Sequence, residues 1–329
     1  MLKKSAILIT GSNGFIGSKL MDHLSNLRKY RVIGLVRKSS NLSRLEGKNY
    51  ELRFGDINGN IKDILEDVDI VIHTAGKASD WGKYEEFYKT NVLGALNIAQ
   101  TAVESGVKRL IHYSSTVVYG FNGNIDTREN KPLNPFNNNY CKTKAIAEME
   151  LSKYKDKIEL IIIRPSNVFG PGDFSFTLPL FKTLEKGLIG FVNGGKPITS
   201  PCYVKNLCKA TELACETKKG IGEAFNISDG NDIPWIEFLK LVAKNLNAKV
   251  PKLNVPSIPL MIIAKFMSFF YNLFGSRKPP FLTPYRIAIS SRDYSFSIEK
   301  AKKLLNYHPP YSTEEGIKES IEWYRNLQI

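Results

Sequence analysis

Residues 6–17 read Ala6-Ile7-Leu8-Ile9-Thr10-Gly11-Ser12-Asn13-Gly14-Phe15-Ile16-Gly17. The first five form an apolar run that suits a strand buried on both faces. From Phe15 the apolar spacing becomes helical and holds to Leu27. Three glycines therefore fall where a strand turns into a helix. Gly11 permits the tight turn, Gly14 lets the backbone approach a bound group, and Gly17 lets the helix pack on the strand. The helix start offers free N–H groups and the positive end of its dipole, which favour an anion. The turn, with Asn13, Phe15 and Ile16 completing it, fits the pyrophosphate of a dinucleotide.

The same rhythm continues downstream. Apolar strand patterns at 31–36, 52–54, 69–73, 108–113 and 158–163 alternate with helical patterns at 84–104 and 139–154. This predicts an α/β fold, a doubly wound parallel Rossmann sheet covered on both faces. After Arg164-Pro165 the rhythm breaks into Gly- and Pro-rich loops with a short helix, and then a helix at 203–217 and a strand at 224–227 return to the sheet. The expected division is a dinucleotide-binding domain of 1–165 and about 203–228. A smaller C-terminal substrate-binding lobe takes about 166–202 and 229–329.

Composition excludes several classes. The 329 residues, 43% hydrophobic and 24% charged, are ordinary for a globular chain with a full core and a second lobe. The start, Met1-Leu2-Lys3-Lys4-Ser5, is too short in apolar residues for a signal peptide and implies a cytosolic protein. The four cysteines, Cys141, Cys202, Cys208 and Cys215, form no CxxC pair, so neither a zinc site nor a disulfide framework is expected. A net charge of +14 comes from scattered lysines without a nucleic-acid module, and reads as a solvated basic surface.

Tyr140 and Lys144 are four apart in a helical stretch and share a face. A phenol of ordinary pKa near ~10 is a poor base; a neighbouring ammonium lowers that pKa. The pair suits proton transfer at an oxygen while hydride moves at the adjoining carbon. At the end of the second strand, Arg37 and Lys38 stand where an NAD-preferring site usually has an acid, so NADP(H) is favoured over NAD(H).

The ordered motifs are the glycine turn, Ser114-Ser115-Thr116-Val117-Val118-Tyr119-Gly120, Tyr140 to Lys144, and Arg164-Pro165-Ser166-Asn167-Val168-Phe169-Gly170. Over nearly its whole length the chain resembles the extended short-chain dehydrogenases/reductases. That family includes NAD(P)-dependent sugar epimerases and dehydratases, 3β-hydroxysteroid dehydrogenases and dihydroflavonol reductase-like enzymes. The resemblance implies that Tyr140 is the acid/base, that Lys144 holds the ribose and tunes it, and that Ser115 orients the substrate oxygen, with Ser114 and Thr116 as alternatives. It further implies an adenine contact at Asp56 and Ile57, a backbone turn past the ribose at Ala75-Gly76, and a supporting amide at Asn91. The loop Pro165, Asn167 and Val168 is expected beside the nicotinamide.

Within the family, 4,6-dehydratases carry an Asp-Glu pair where this chain has Thr116 and Val117. Many nucleotide-sugar enzymes carry an arginine and an acid around the run matching Thr199 to Asn206; here only Lys196 and Lys205 are near. The C-terminal run from Pro279 through Ser295-Phe296-Ser297 to Tyr307-His308-Pro309 resembles 3β-hydroxysteroid and sterol-4-carboxylate dehydrogenase-like proteins. The leading expectation is interconversion of a secondary alcohol and a ketone on an apolar, sterol- or lipid-like substrate. A nucleotide-sugar epimerase with tightly bound NAD is the alternative; a non-catalytic NADP-sensing protein ranks third.

Residues 256–275 are strongly apolar, with Lys265 their only charge. Their apolar runs are short for a spanning helix of about 20 residues. A pocket or core helix is the first reading, peripheral membrane contact the second, and a subunit interface the third. The resemblance also implies a homodimer, through the helices at 84–104 and 139–154.

Overall fold

The computed structural model describes residues 4–327. Residues 1–3, part of the stretch read as a cytosolic start, lie outside them. The chain begins β1 (Ser5–Thr10), α1 (Phe15–Asn26), β2 (Tyr30–Val36), β3 (Glu51–Phe54) and β4 (Ile70–His73). One long helix follows, made of α2 (Tyr84–Phe87), a π-helical segment (Tyr88–Leu93) and α3 (Gly94–Glu104). Next come β5 (Arg109–Tyr113), β6 (Asn124–Thr127), α4 (Asn139–Leu151), β7 (Glu159–Pro165) and β8 (Asn167–Phe169). The middle holds α5 (Thr177–Glu185), β9 (Phe191–Val192), β10 (Ile198–Thr199), β11 (Pro201–Tyr203), α6 (Val204–Glu216) and β12 (Ala224–Ile227). The last part is β13 (Ile233–Pro234), α7 (Trp235–Leu246), β14 (Asn254–Val255), α8 (Ser257–Leu273), α9 (Pro284–Ser291), β15 (Tyr294–Phe296), α10 (Glu299–Leu305) and α11 (Thr313–Asn326).

Seven strands pair in parallel in the order β3-β2-β1-β4-β5-β7-β12. Their apolar runs feed two cores because side chains alternate faces. Ile7 and Ile9 meet Leu20 and Leu24 of α1 and Leu207 and Ala210 of α6. Leu8 meets Ile98 and Ala99 of α3 and Ala147 and Leu151 of α4. Each such burial of a large aliphatic side chain is worth about 1.5–3 kcal/mol. The strand order reverses at β1, between β2 and β4, so a crevice opens at the carboxyl ends of these strands.

A smaller core gathers Phe169, Phe181, Phe191, Phe238, Val242, Ile317 and Ile321. It is framed by a four-stranded sheet, β13-β10-β15-β6, and the pairs β8-β11 and β9-β14. The segment around α10, expected in the lobe, instead packs Ile298, Ala301, Leu305 and Tyr307 into the core of the large sheet. The Tyr307 hydroxyl donates to the Ser228 carbonyl at 2.9 Å. All four cysteines are free and buried. Burial pushes their thiols above the ordinary range. Among the described residues no cluster of three metal-ligating side chains occurs.

Of the pocket-or-core reading of 256–275, only the pocket part holds: Ser268 and Asn272 of α8 border a cavity, but the helix is not part of the core. Of the seventeen residues of α8 only Ala264 is buried. Its apolar side chains outnumber what one contact face can cover. Ile258, Ile262, Phe266, Phe269 and Leu273 are 62–74% exposed. Among the described residues no helix is long and apolar enough to cross a membrane.

Candidate active site

The glycine turn is closed as its sequence requires. Gly11 has φ +66°, and a Cβ there would lie 2.8 Å from the Ala75 Cα. At Gly17 a Cβ would lie 2.2 Å from the Gly11 carbonyl oxygen. The turn, the helix start and the loop after β4 therefore fit only without side chains. That loop is tied down by Thr10, whose Oγ1 accepts from the Ala75 N–H at 3.1 Å, while the Thr74 hydroxyl donates to the Thr10 carbonyl at 2.6 Å. Gly14 caps α1 in extended conformation and is exposed, leaving the helix N-terminus open to solvent. Asn13 Nδ2 donates to the Asn41 carbonyl at 3.3 Å. Phe15 packs toward the lobe core and Ile16 toward the sheet core.

Tyr140 and Lys144 stand in the first turns of α4. Asn138 caps this helix, its Oδ1 accepting from the Tyr140 N–H at 2.9 Å. The cap is itself fixed, since Asn138 Nδ2 donates to the Asp80 carbonyl at 3.1 Å and Asn139 Nδ2 to the Gly82 carbonyl at 3.0 Å. Lys144 is buried, and its ammonium donates to the Tyr113 carbonyl at the end of β5 at 2.7 Å. A Cβ on Gly76 would come within 3.4 Å of Lys144 Nζ and 3.2 Å of Asn91 Oδ1. Asn91, in the π-helical segment, accepts from the Lys77 N–H at 2.7 Å. It donates to the Lys77 carbonyl at 3.2 Å and to Thr143 Oγ1 at 3.1 Å. One amide thus joins the Gly76 loop to the helix that carries the pair.

Ser115 caps the short 3-10 helix Thr116–Tyr119 and reaches the Tyr140 phenol, pulling its pKa down. Burial outweighs this and pushes Tyr140 up to about 12. The expected lowering by Lys144 is absent, because that ammonium is directed at the Tyr113 carbonyl and is itself lowered to about 8 by burial, against the pull of Glu148. Glu148 is held by Arg164, whose Nε lies 3.0 and 3.1 Å from its two oxygens. Ser114 Oγ is buried and has no hydrogen-bond partner among the described residues. Thr116 is committed elsewhere: its hydroxyl bonds Tyr294 Oη at 2.8 Å. Close by, the rings of His73 and His112 lie 5.4 Å apart and tilted by 30°, and burial, then the charge of Lys144, holds both neutral, His73 at about 3.

The other predicted residues lie farther along the crevice. Arg37, Lys38 and Asp56 are exposed at the ends of β2 and β3, while Ile57 is buried against Gly94. The Asn58 N–H, at 2.9 Å, holds the Asp56 carboxyl below its usual range, aided by Arg37. Pro165 ends β7; Asn167 and Val168 follow in β8, where Asn167 Nδ2 donates to Thr199 Oγ1 at 2.7 Å. Sequence reasoning missed Asn138, Thr143 and Thr10. Asn138 was legible as a helix cap, an amide just before an apolar helical run.

Beside the start of α4 lies a cavity of about 190 Å³, lined by Asp80, Trp81, Phe136, Asn138, Ser268 and Tyr285 among others. Its wall mixes amides with aromatic rings and is less apolar than the sequence implied.

In sequence, the chain is 28% identical to 3beta-hydroxysteroid-dehydrogenase/decarboxylase isoform 1 of Arabidopsis thaliana over an alignment 353 positions long, covering 98% of this chain and 80% of that one. It is 27% identical to the human sterol-4-alpha-carboxylate 3-dehydrogenase, decarboxylating, covering 97% and 88%. The crystal structure of gox2253 superposes with a TM-score of 0.82 at 26% identity, over 98% and 99% of the two chains. UDP-glucuronic acid 4-epimerase from Bacillus cereus, solved with NAD, shares the fold at a TM-score of 0.79 and 22% identity, over 98% and 100%. The family model for the NAD dependent epimerase/dehydratase family matches residues 7–228, two-thirds of the chain, and the chain belongs to that family.

Proposed function

We propose that the protein is an NAD(P)-dependent oxidoreductase that interconverts a secondary alcohol and a ketone on an apolar substrate of sterol- or lipid-like character. The observation that carries this is the buried turn of α4, where the Tyr140 phenol meets Ser115 and Lys144 Nζ overhangs the bare face of Gly76. The names of the sterol-dehydrogenating relatives support the substrate class. The crevice residues fit a nicotinamide dinucleotide: the open N-terminus of α1 suits its phosphates, Gly76 leaves the space a Cβ would fill, and the orphaned Ser114 Oγ offers a polar contact. When bound there, the nicotinamide supplies or accepts the hydride.

The chain's own residues manage the oxygen. A phenol at about 12 is protonated at neutral pH and donates its proton to a carbonyl oxygen during reduction. Ser115 orients that oxygen. The Lys144 ammonium, anchored on the Tyr113 carbonyl, reaches the ribose region beside Gly76 and not the phenol. Arg37 and Lys38, exposed where a ribose 2′-phosphate would lie, favour NADP(H). Two copies are expected to pair through α2–α3 and α4, whose surface exposes Tyr84, Leu93 and Met149. Membrane contact through 256–275 accords with the substrate class.

Sugar-nucleotide epimerisation is disfavoured. Lys205, one of two cations near Thr199 to Asn206, is paired with Glu319 at 2.5 Å, and the Asn206 amide is bonded to Asp229 at 2.7 Å and to the Tyr311 carbonyl at 2.8 Å. Tyr140→Phe should lower turnover about 10²–10⁴-fold with cofactor affinity nearly intact. Unchanged turnover would refute the assignment; turnover without net consumption of added cofactor would favour the epimerase.

A further inference from the structure

Helix α8 presents two stripes with different company. Ile258, Ile262, Phe266, Phe269 and Leu273 recur at spacings of four, four, three and four and stand in solvent. Met261, Ala264 and Ser268 turn inward. Met261 packs on the same apolar cluster as Tyr140, and Ser268 lines the cavity at the start of α4. The loop after α8 is tied to the cavity wall, where Trp81 Nε1 donates to the Ser276 carbonyl at 3.0 Å and the Trp81 ring meets Tyr271 edge-on at 6.3 Å.

The charge along the chain that carries this helix is one-sided, and the acids that approach it come from elsewhere: Asp80, paired with Arg286 at the cavity wall, and Glu86, near Arg277. Residues 238–292 hold nine lysines and arginines and no aspartate or glutamate. Lys249 and Lys252 precede α8, Lys265 lies within it, and Arg277 and Lys278 follow; all five are exposed. Seventeen residues span roughly 25 Å as a helix, short of the ~30 Å hydrocarbon core of a bilayer. An exposed apolar stripe with cations at both ends and no acid in its own segment is the pattern of a helix lying in a lipid interface.

We propose that α8 seats the protein on an anionic bilayer surface, its Ile/Phe/Leu stripe in the acyl boundary and its flanking cations at the headgroups, so that the cavity beside α4 takes substrate from the lipid phase. The docking stands on the surface alone; the delivery step rests on the oxidoreductase reading above. Helix and cavity share Ser268, so seating the outer stripe in lipid brings the cavity mouth to the membrane level.

The test is co-sedimentation of the full chain with vesicles of phosphatidylcholine alone or with 30 mol% phosphatidylserine, at about 0.15 and 0.5 M salt. Binding to the phosphatidylserine vesicles at the lower salt is expected, falling at least tenfold in the other conditions. Phe266→Ser with Phe269→Ser should weaken it about 100-fold with an unchanged melting temperature. Arg277→Glu with Lys278→Glu should weaken it and flatten the salt dependence. For delivery, the Phe variant should lose about tenfold in kcat/KM on a vesicle-dissolved apolar alcohol and nothing on a short water-soluble one. Absence of vesicle binding overturns the proposal. So does a self-association, seen by sedimentation velocity, that the Phe variant abolishes while no vesicle binds, for then a second copy covers the stripe. Vesicle binding by an unmutated chain that turns over no alcohol or ketone upholds docking and sinks only the oxidoreductase reading.

Discussion

Replacing Asn91 separates the two halves of the candidate site without touching Tyr140 or Lys144. The amide is 2% exposed and makes three hydrogen bonds, two to the Lys77 backbone and one to Thr143. At roughly 1 kcal/mol net for each, their loss amounts to about 3 kcal/mol. Asn91→Leu fills the vacated space and strips the half-buried Lys77 N–H and carbonyl of their side-chain partner, so it should cost about that much. Asn91→Ala leaves room for a water with polar neighbours and should cost only about 1–2 kcal/mol. Urea unfolding with an unchanged m-value measures both. Turnover should fall at least tenfold in the leucine variant, about 1.4 kcal/mol of transition-state stabilisation, because Gly76 and α4 are no longer held in register. The reasoning fails if leucine costs less than 1 kcal/mol, or if it costs no more than alanine and leaves turnover intact.

Arg37→Ser with Lys38→Ser should reduce kcat/KM about 10²-fold with NADPH and under threefold with NADH; equal losses would place no 2′-phosphate there. His73 and His112 have folded pKa values below the unfolded value near ~6.5, so the unfolded chain binds more protons and stability is lost as pH falls through that value. For His73, at about 3 in the fold, lowering the pH to 5 should remove about 2 kcal/mol, and urea midpoints that do not fall between pH 7.5 and 5 would contradict this. Asp229 acts oppositely: burial raises it from 3.8 to about 6, so the folded chain holds the extra proton and stability declines as pH rises through that window. Asp229→Asn, which keeps an acceptor for the Tyr203 N–H and Asn206, should abolish the decline; a variant markedly less stable at pH 8 would show that the carboxylate's bonds outweigh its burial.

The large sheet was legible chiefly through its central strands, which are buried on both faces and so written as apolar runs, as in Ile7-Leu8-Ile9 and Leu160-Ile161-Ile162-Ile163, whereas the edge strand β3, Glu51-Leu52-Arg53-Phe54, has no buried residue. β6 was not legible, since Asn124-Ile125-Asp126-Thr127 exposes its two central residues and finds its partner, Tyr294–Phe296, far along the chain. In the site, the spacing of Tyr140 and Lys144 revealed a shared face but not the acceptor of the ammonium, because a backbone carbonyl has no letter in the sequence. For the same reason the phenol's rise was hidden: burial is a tertiary quantity and here exceeds the local effect of a charge. For α8, composition announced an apolar helix, yet which side meets protein depends on the few contacts of Met261, Ala264 and Ser268.

The wide turn at Tyr88–Leu93 sets a phase. A π-helical turn holds one residue more than the α-helix it interrupts, and every residue advances an α-helix by about 100°. The surplus residue lets Asn91 point at the Lys77 loop while Ile98 and Ala99, farther on, still face the sheet. Deleting one residue here would tighten the helix to its ordinary pitch and force a choice: the amide keeps its bearing and Gly94–Glu104 swings a quarter-turn off the hydrophobic floor, or the floor contact survives and the amide points away. The irregular coil therefore works as a differential gear, letting one rod serve two loads that ordinary helical geometry could not align together.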